Sequence, residues 1–115
     1  MKKVFLTLLM ASIFVGCASD STDDVTNPPP AKITYAKNIK PLVDTSCATS
    51  GCHNAASKQA GLTLETYAQV KNAFLNGNAF ARIESTTNPM PPSGKLPDGT
   101  IQTIKKWRDQ GYLEK

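Results

Sequence analysis

A chain of 115 residues, 40% hydrophobic and 19% charged, has room for one ordinary domain and not for a multidomain enzyme. Its formal charge is +4, and it carries three cysteines, one histidine and three methionines. No segment after Cys17 is apolar enough to form a transmembrane helix, which excludes an integral membrane protein built of spanning helices.

The first residues read as a targeting segment and not as part of the fold. Lys2 and Lys3 form a positive start, and the mostly apolar residues 4–15 follow. This run is too short for a permanent span of about 20 residues, and it fits the core of a signal peptide. Phe14-Val15-Gly16-Cys17 resembles the bacterial lipobox, with Phe14 where leucine is usual. The resemblance implies removal of residues 1–16 and lipidation of Cys17. Ordinary secretion with a free cysteine near the cut is the alternative. Acyl chains contribute about 0.8 kcal/mol per buried methylene, so a multi-acyl anchor holds the body at a membrane without spanning it. Ala18 after Cys17 resembles an outer-membrane sorting signal, and the domain is expected to face the periplasm or the exterior. Residues 17–31 then form the anchored N-terminus and tether. They are rich in Ser, Thr and Asp and end in Asn27-Pro28-Pro29-Pro30, which favours extended polyproline II.

The domain proper, residues 32–115, has eleven Lys or Arg against six Asp or Glu. Its size is one at which folds often depend on a staple, a metal or a cofactor. A first helix is expected up to about Ser46, with Ile39, Leu42 and Val43 on one face. Thr34 and Asn38 both qualify as its cap, and Pro41 favours Asn38, because proline is tolerated only in the first turn.

This helix delivers Cys47-Ala48-Thr49-Ser50-Gly51-Cys52-His53, which gathers both cysteines after Cys17 and the chain's single histidine. The pattern is close to the C-x-x-C-H haem attachment motif, in which two thiols bond the haem vinyl groups and the adjacent imidazole binds iron. The spacing here is four residues, as in the longer C-x4-C-H variant. Thr49, Ser50 and Gly51 suit a bulge, with Gly51 able to take a positive φ. Taken alone, the motif serves equally well as a disulfide in an exported protein. Zinc is a weaker reading, because three crowded donors fall short of a tetrahedral set.

Thr63 is the expected cap of a second helix over residues 64 to about 76, ended by Gly77. A short helix is expected over residues 78–84. Asn88-Pro89-Met90-Pro91-Pro92 then places the only methionine of the mature chain in a proline loop. Such a loop is a poor setting for a flexible packing residue and a good one for fixing a thioether, although a proline turn that happens to hold a methionine is the plainer account. Asp98 is the expected cap of a last helix over residues 99–110, with Ile101, Ile104 and Trp107 or Arg108 inward and Gly111 as its stop. No run reads as a strand pair. The fold class is all-α, with three or four helices and long loops.

Taken together, Ile39-Lys40-Pro41-Leu42-Val43, the Cys47 to His53 motif, Gly61-Leu62-Thr63-Leu64, Met90-Pro91-Pro92 and Ile101 to Trp107 resemble the small monohaem cytochrome c domains of bacterial lipoproteins. The resemblance implies a class I cytochrome c-like fold wrapping one covalent haem c. It implies thioether attachment at Cys47 and Cys52, and His53 and Met90 as the two axial ligands. The implied function is single-electron transfer without enzymatic turnover. The alternatives are a haem sensor or peroxidase-like module with a labile Met90, and a haem-free, disulfide-closed binding lipoprotein. Many such domains hydrogen-bond the proximal imidazole to a downstream proline carbonyl. No proline lies between His53 and Pro89, so a carbonyl of residues 58–61 is expected to take that place. Lys37, Lys40, Lys58, Lys71, Arg82, Lys95, Lys105, Lys106, Arg108 and Lys115 offer a basic rim for an acidic redox partner, or simply a solvated surface. Nucleic acid is not an expected partner of an exported lipoprotein.

Overall fold

Thr34 opens the first helical segment. Its Oγ1 accepts the Lys37 amide, and its own N–H returns a bond to the Asn38 side chain at 3.0 Å. Asn38 therefore supports the cap and does not form it. The reason lies in Pro41, which lacks an N–H and in a regular helix would collide with the carbonyl four residues back. In the computed structural model, which describes residues 29–115, the chain avoids this with a π-helical turn, Tyr35–Ile39. The wider turn bonds the Lys40 N–H to the Tyr35 carbonyl, and helix α1 (Lys40–Ser46) then starts with Pro41 in its first turn. The expected targeting segment, the expected lipidation site Cys17 and most of the expected tether lie outside the described residues.

Helix α2 (Tyr67–Leu75) begins later than the pattern of apolar residues suggests. Its cap is Thr66 and not Thr63. Thr66 and Gln69 form a reciprocal capping box, Oγ1 accepting the Gln69 N–H and the Gln69 side-chain oxygen accepting the Thr66 N–H. Leu64 is not helical because it has another task. It is buried, and its N–H bonds the His53 carbonyl at 2.8 Å. Gly77 terminates the helix region as expected, and a Cβ there would sit 2.7 Å from the Ala73 carbonyl oxygen.

Helix α3 (Ala79–Glu84) follows almost at once, and a loop leads from it to helix α4 (Asp98–Asp109). Pro97, in extended conformation, is the cap of α4. Asp98 is already inside the helix, where its carboxylate pairs with Lys95 at 2.8 Å and faces the positive end of the helix dipole. Gly111, at φ +83°, reverses the chain, and Tyr112 bonds back from its N–H to the Trp107 carbonyl.

The reversal closes the domain. The Leu113 and Glu114 carbonyls accept the N–H groups of Tyr35 and Ala36, at 2.8 and 3.0 Å, so the end of the chain is clamped to the first helical segment. Beneath the clamp, Ile39, Val43, Val70, Ile104 and Trp107 are essentially sealed from solvent. Trp107 is the centre, edge-on to Tyr112 at 4.8 Å and to Phe74 at 6.3 Å. Ile101, Ile104 and Trp107 form the inner stripe of α4, while Arg108 turns outward over the Phe80 ring. The described residues are helical and contain no strand.

Candidate functional site

One face of this core is left open as a cleft of about 510 Å³. That volume lies within the roughly 300–1,000 Å³ of small-molecule and cofactor pockets. Its floor is the outer surface of the core, with Leu64 from the extended segment, Ala73 and Phe74 from α2 and Ile83 from α3. Cys47, Cys52 and His53 line one part of the wall, and Met90, Pro91 and Pro92 supply another. The four residues singled out in the sequence therefore meet at one cleft, although the methionine comes from a separate loop.

The cysteine segment is held by its own backbone. At the end of α1 the Cys47 N–H bonds the Val43 carbonyl at 2.8 Å, and the His53 N–H returns to the Cys47 carbonyl at 3.0 Å. Gly51 takes φ +80°, as the bulge requires, and its N–H is received by the Ser57 hydroxyl at 2.8 Å. The Cys52 carbonyl accepts the Gln59 N–H, and the His53 carbonyl accepts that of Leu64. Both cysteines are free thiols. Burial, with the adjacent Cys52 adding to it, pushes the Cys47 thiol up to about 11.

His53 is fixed through its Nδ1, which lies 3.2 Å from the Leu62 carbonyl oxygen. A carbonyl only accepts, so the bond puts a proton on Nδ1, and in the neutral imidazole the lone pair is then on Nε2. The supporting carbonyl was expected within residues 58–61 and lies one residue further on. The short 3₁₀ turn Gln59–Gly61 spends the earlier carbonyls locally, Lys58 O receiving the Gly61 N–H and Gln59 O that of Leu62. The Leu62 carbonyl is left for the imidazole.

Met90 is placed by α3. Its N–H donates to the Arg82 carbonyl at 3.0 Å, and the Met90–Pro91 peptide is cis. The approach to Met90 is shaped by the Ser85 hydroxyl, which accepts the N–H groups of Thr87 and Asn88. Two features of the site were not singled out in the sequence. The Leu62 contribution is a main-chain atom, which no side-chain motif announces. The cleft position of Arg82, named in the sequence only as part of a basic rim, is the other: it alone of those ten cations lines the cleft. Lys40, Lys95, Lys105 and Arg108 are paired with Asp44, Asp98, Glu84 and Asp109.

Among the described residues no group of three or more His, Cys, Asp or Glu side chains converges as a metal site, and no helix is long and apolar enough to cross a membrane. Comparison of the chain with protein-family models, with curated proteins and with solved structures finds no match.

Proposed function

We propose that this chain is a c-type cytochrome of the class I-like fold that passes single electrons through one covalent haem. In this reading Cys47 and Cys52 hold the haem by thioether bonds, while His53 and Met90 take the two axial positions. The observation that carries it is the meeting of two free thiols, the only histidine and the only mature methionine around one apolar cleft.

The residues fit such a group in three respects. With the proton of the neutral imidazole on Nδ1, Nε2 is free to bind a metal, and the Nδ1–H bond to the Leu62 carbonyl raises its basicity as a ligand. The floor of Leu64, Phe74 and Ile83 suits a flat apolar ring and excludes water from it. The first helical segment meets α4, with the Tyr35 and Trp107 rings 6.3 Å apart, which agrees with the crossing of first and last helices in cytochromes c. When bound, the haem supplies one-electron chemistry at an iron closed on both sides by imidazole and thioether.

Among the described residues no Asp or Glu lines the cleft, so none of them puts a carboxylate at hand for the acid–base work of a peroxidase. This favours an electron carrier over the enzyme reading. Lipidation at Cys17 would hold the carrier at a membrane of the cell envelope, with the tether giving it reach toward redox partners, acidic ones being matched by its basic domain.

The test is direct. The full chain is exported in a bacterium competent for haem attachment and run on a denaturing gel with a haem stain. A stained band at the mass of the chain plus one haem supports the proposal. An unstained chain with an intact Cys47–Cys52 disulfide overturns it. Loss of detergent-phase partitioning in Cys17→Ser checks the anchor.

A further inference from the structure

The cleft wall carries a single full charge. Among the described residues Arg82 is the only Lys, Arg, Asp or Glu that lines it, and no described carboxylate forms an ion pair with it. Arg82 is half-buried beside this apolar wall, and its guanidinium has no described carboxylate partner to compensate any hydration the side chain gives up. Its position in the last turn of α3 suits the helix dipole, which accounts for a cation there but not for one that faces the cleft. The planar fork of arginine matches a carboxylate with two parallel hydrogen bonds. Asn72 and Asn78, which also line the cleft, add neutral amides.

The main chain of the same residue has a second role. The Arg82 carbonyl accepts the Met90 N–H at 3.0 Å and the Ser85 N–H at 3.4 Å, so the methionine loop hangs from it. We propose that Arg82 is the anion anchor of the cleft: its guanidinium receives a carboxylate of the bound tetrapyrrole, while its carbonyl seats Met90. The hold on the carboxylate edge and the seating of the thioether are thereby joined in one positioning residue. This inference rests on the haem reading given above.

The experiment compares holoprotein of the native chain with Arg82→Gln, Arg82→Lys and Lys106→Gln, the last removing an exposed charge outside the cleft. Helical content by circular dichroism and haem per chain are measured first, and both are expected to match the native values, since the thioethers do not depend on Arg82. In Arg82→Gln the resonance Raman propionate bending band shifts, because its hydrogen bonding changes. The midpoint potential falls, because an uncompensated carboxylate favours ferric iron. Displacement of Met90 by added imidazole accelerates roughly tenfold, the scale of one lost charge-assisted hydrogen bond. Arg82→Lys restores the potential in large part, and Lys106→Gln changes none of the three. Native holoprotein whose Arg82→Gln variant keeps band, potential and exchange rate overturns the Arg82 assignment alone. A native chain without haem overturns the parent reading, and this inference with it.

Discussion

The imidazole of His53 is anchored to the main chain of Leu62, Nδ1 to carbonyl oxygen, at 3.2 Å. The bond joins the cysteine segment to a turn in which Lys58, Ala60 and Gly61 all take positive φ, at +42°, +55° and +72°. Two of these are not glycine, so the turn stores backbone strain beside the site. Strain of this kind persists where neighbouring bonds over-determine the chain. Here Gln59 N–H to Cys52 O and Leu64 N–H to His53 O hold the turn on both sides.

Gly61→Val tests the anchor. A β-branched residue in the left-handed region costs about 1–2 kcal/mol or more, and the turn relieves it by moving the adjoining Leu62 carbonyl. The expected outcome is a lower melting temperature and a higher midpoint potential, since a less basic imidazole favours ferrous iron. A variant that melts lower at an unchanged potential would show that the Leu62 carbonyl does not tune His53.

The cap positions show where the sequence is legible and where it is not. Inner faces were readable from period alone, as with Ile101, Ile104 and Trp107, because burial of one stripe is what forms a helix on a core. Gly51, Gly77 and Gly111 were readable because local sterics decide them. Asn38, Thr63 and Asp98 misled for a shared reason: each is a good cap locally, and each is overridden by something distant or by a neighbouring proline. The π turn before Pro41 moves the first cap to Thr34. The bond from Leu64 to His53 delays the second to Thr66. Pro97 takes the third. The four residues that meet at the cleft stand out in the sequence by their scarcity, whereas the Leu62 carbonyl and the cleft-lining Arg82 depend on tertiary placement, which residue type does not encode.

Met90→Ala separates the two ends of the site. On the proposed haem reading, and because Cys47, Cys52 and His53 are held by a segment independent of the 85–94 loop, the haem should remain attached in normal yield. The expected spectrum is that of an iron with an exchangeable sixth position, binding cyanide or carbon monoxide rapidly at neutral pH, with a lower potential. An absorption spectrum identical to the native one removes Met90 from the ligand set.

The buried Cys47 thiol predicts a difference between the haem-free and haem-bound chains in alkali. Its folded-state pKa is raised to about 11 by burial and by Cys52, above the ordinary value of 9.0. Between about pH 9 and pH 11 the unfolded chain releases this proton and the folded chain retains it. The contribution to stability is thus full below pH 9 and lost as pH rises through 11. Tyr35 and Tyr112, also raised by burial, add a decline common to both forms. Thioether formation consumes the thiol, so urea midpoints of the haem-free chain should fall more steeply than those of the holoprotein across this window. Parallel curves would contradict the burial of Cys47.

Trp107→Phe probes the coupling of the core to the cleft. Trp107 is fully buried, and its Nε1–H donates to the Leu113 carbonyl at 2.8 Å. That carbonyl also accepts the Tyr35 N–H, so the substitution removes a bond without orphaning the acceptor. The lost hydrogen bond costs about 0.5–1.5 kcal/mol, and the smaller ring leaves a void of similar consequence, giving about 2 kcal/mol in all. At about 4–8 °C per kcal/mol for a domain of this size, the melting temperature should fall well outside error. Phe74 stands between Trp107 and the cleft, edge-on to the indole at 6.3 Å, so the floor should loosen while the four site residues stay in place. The variant is therefore expected to melt lower, to exchange the buried amides of α2 and α4 faster and, on the proposed haem reading, to keep haem and Met90 ligation. A variant that lost the thioether ligand at ordinary temperature would place the site's rigidity in the core and not in its own loops, contrary to the bonds that fix His53 to Leu62 and Met90 to Arg82.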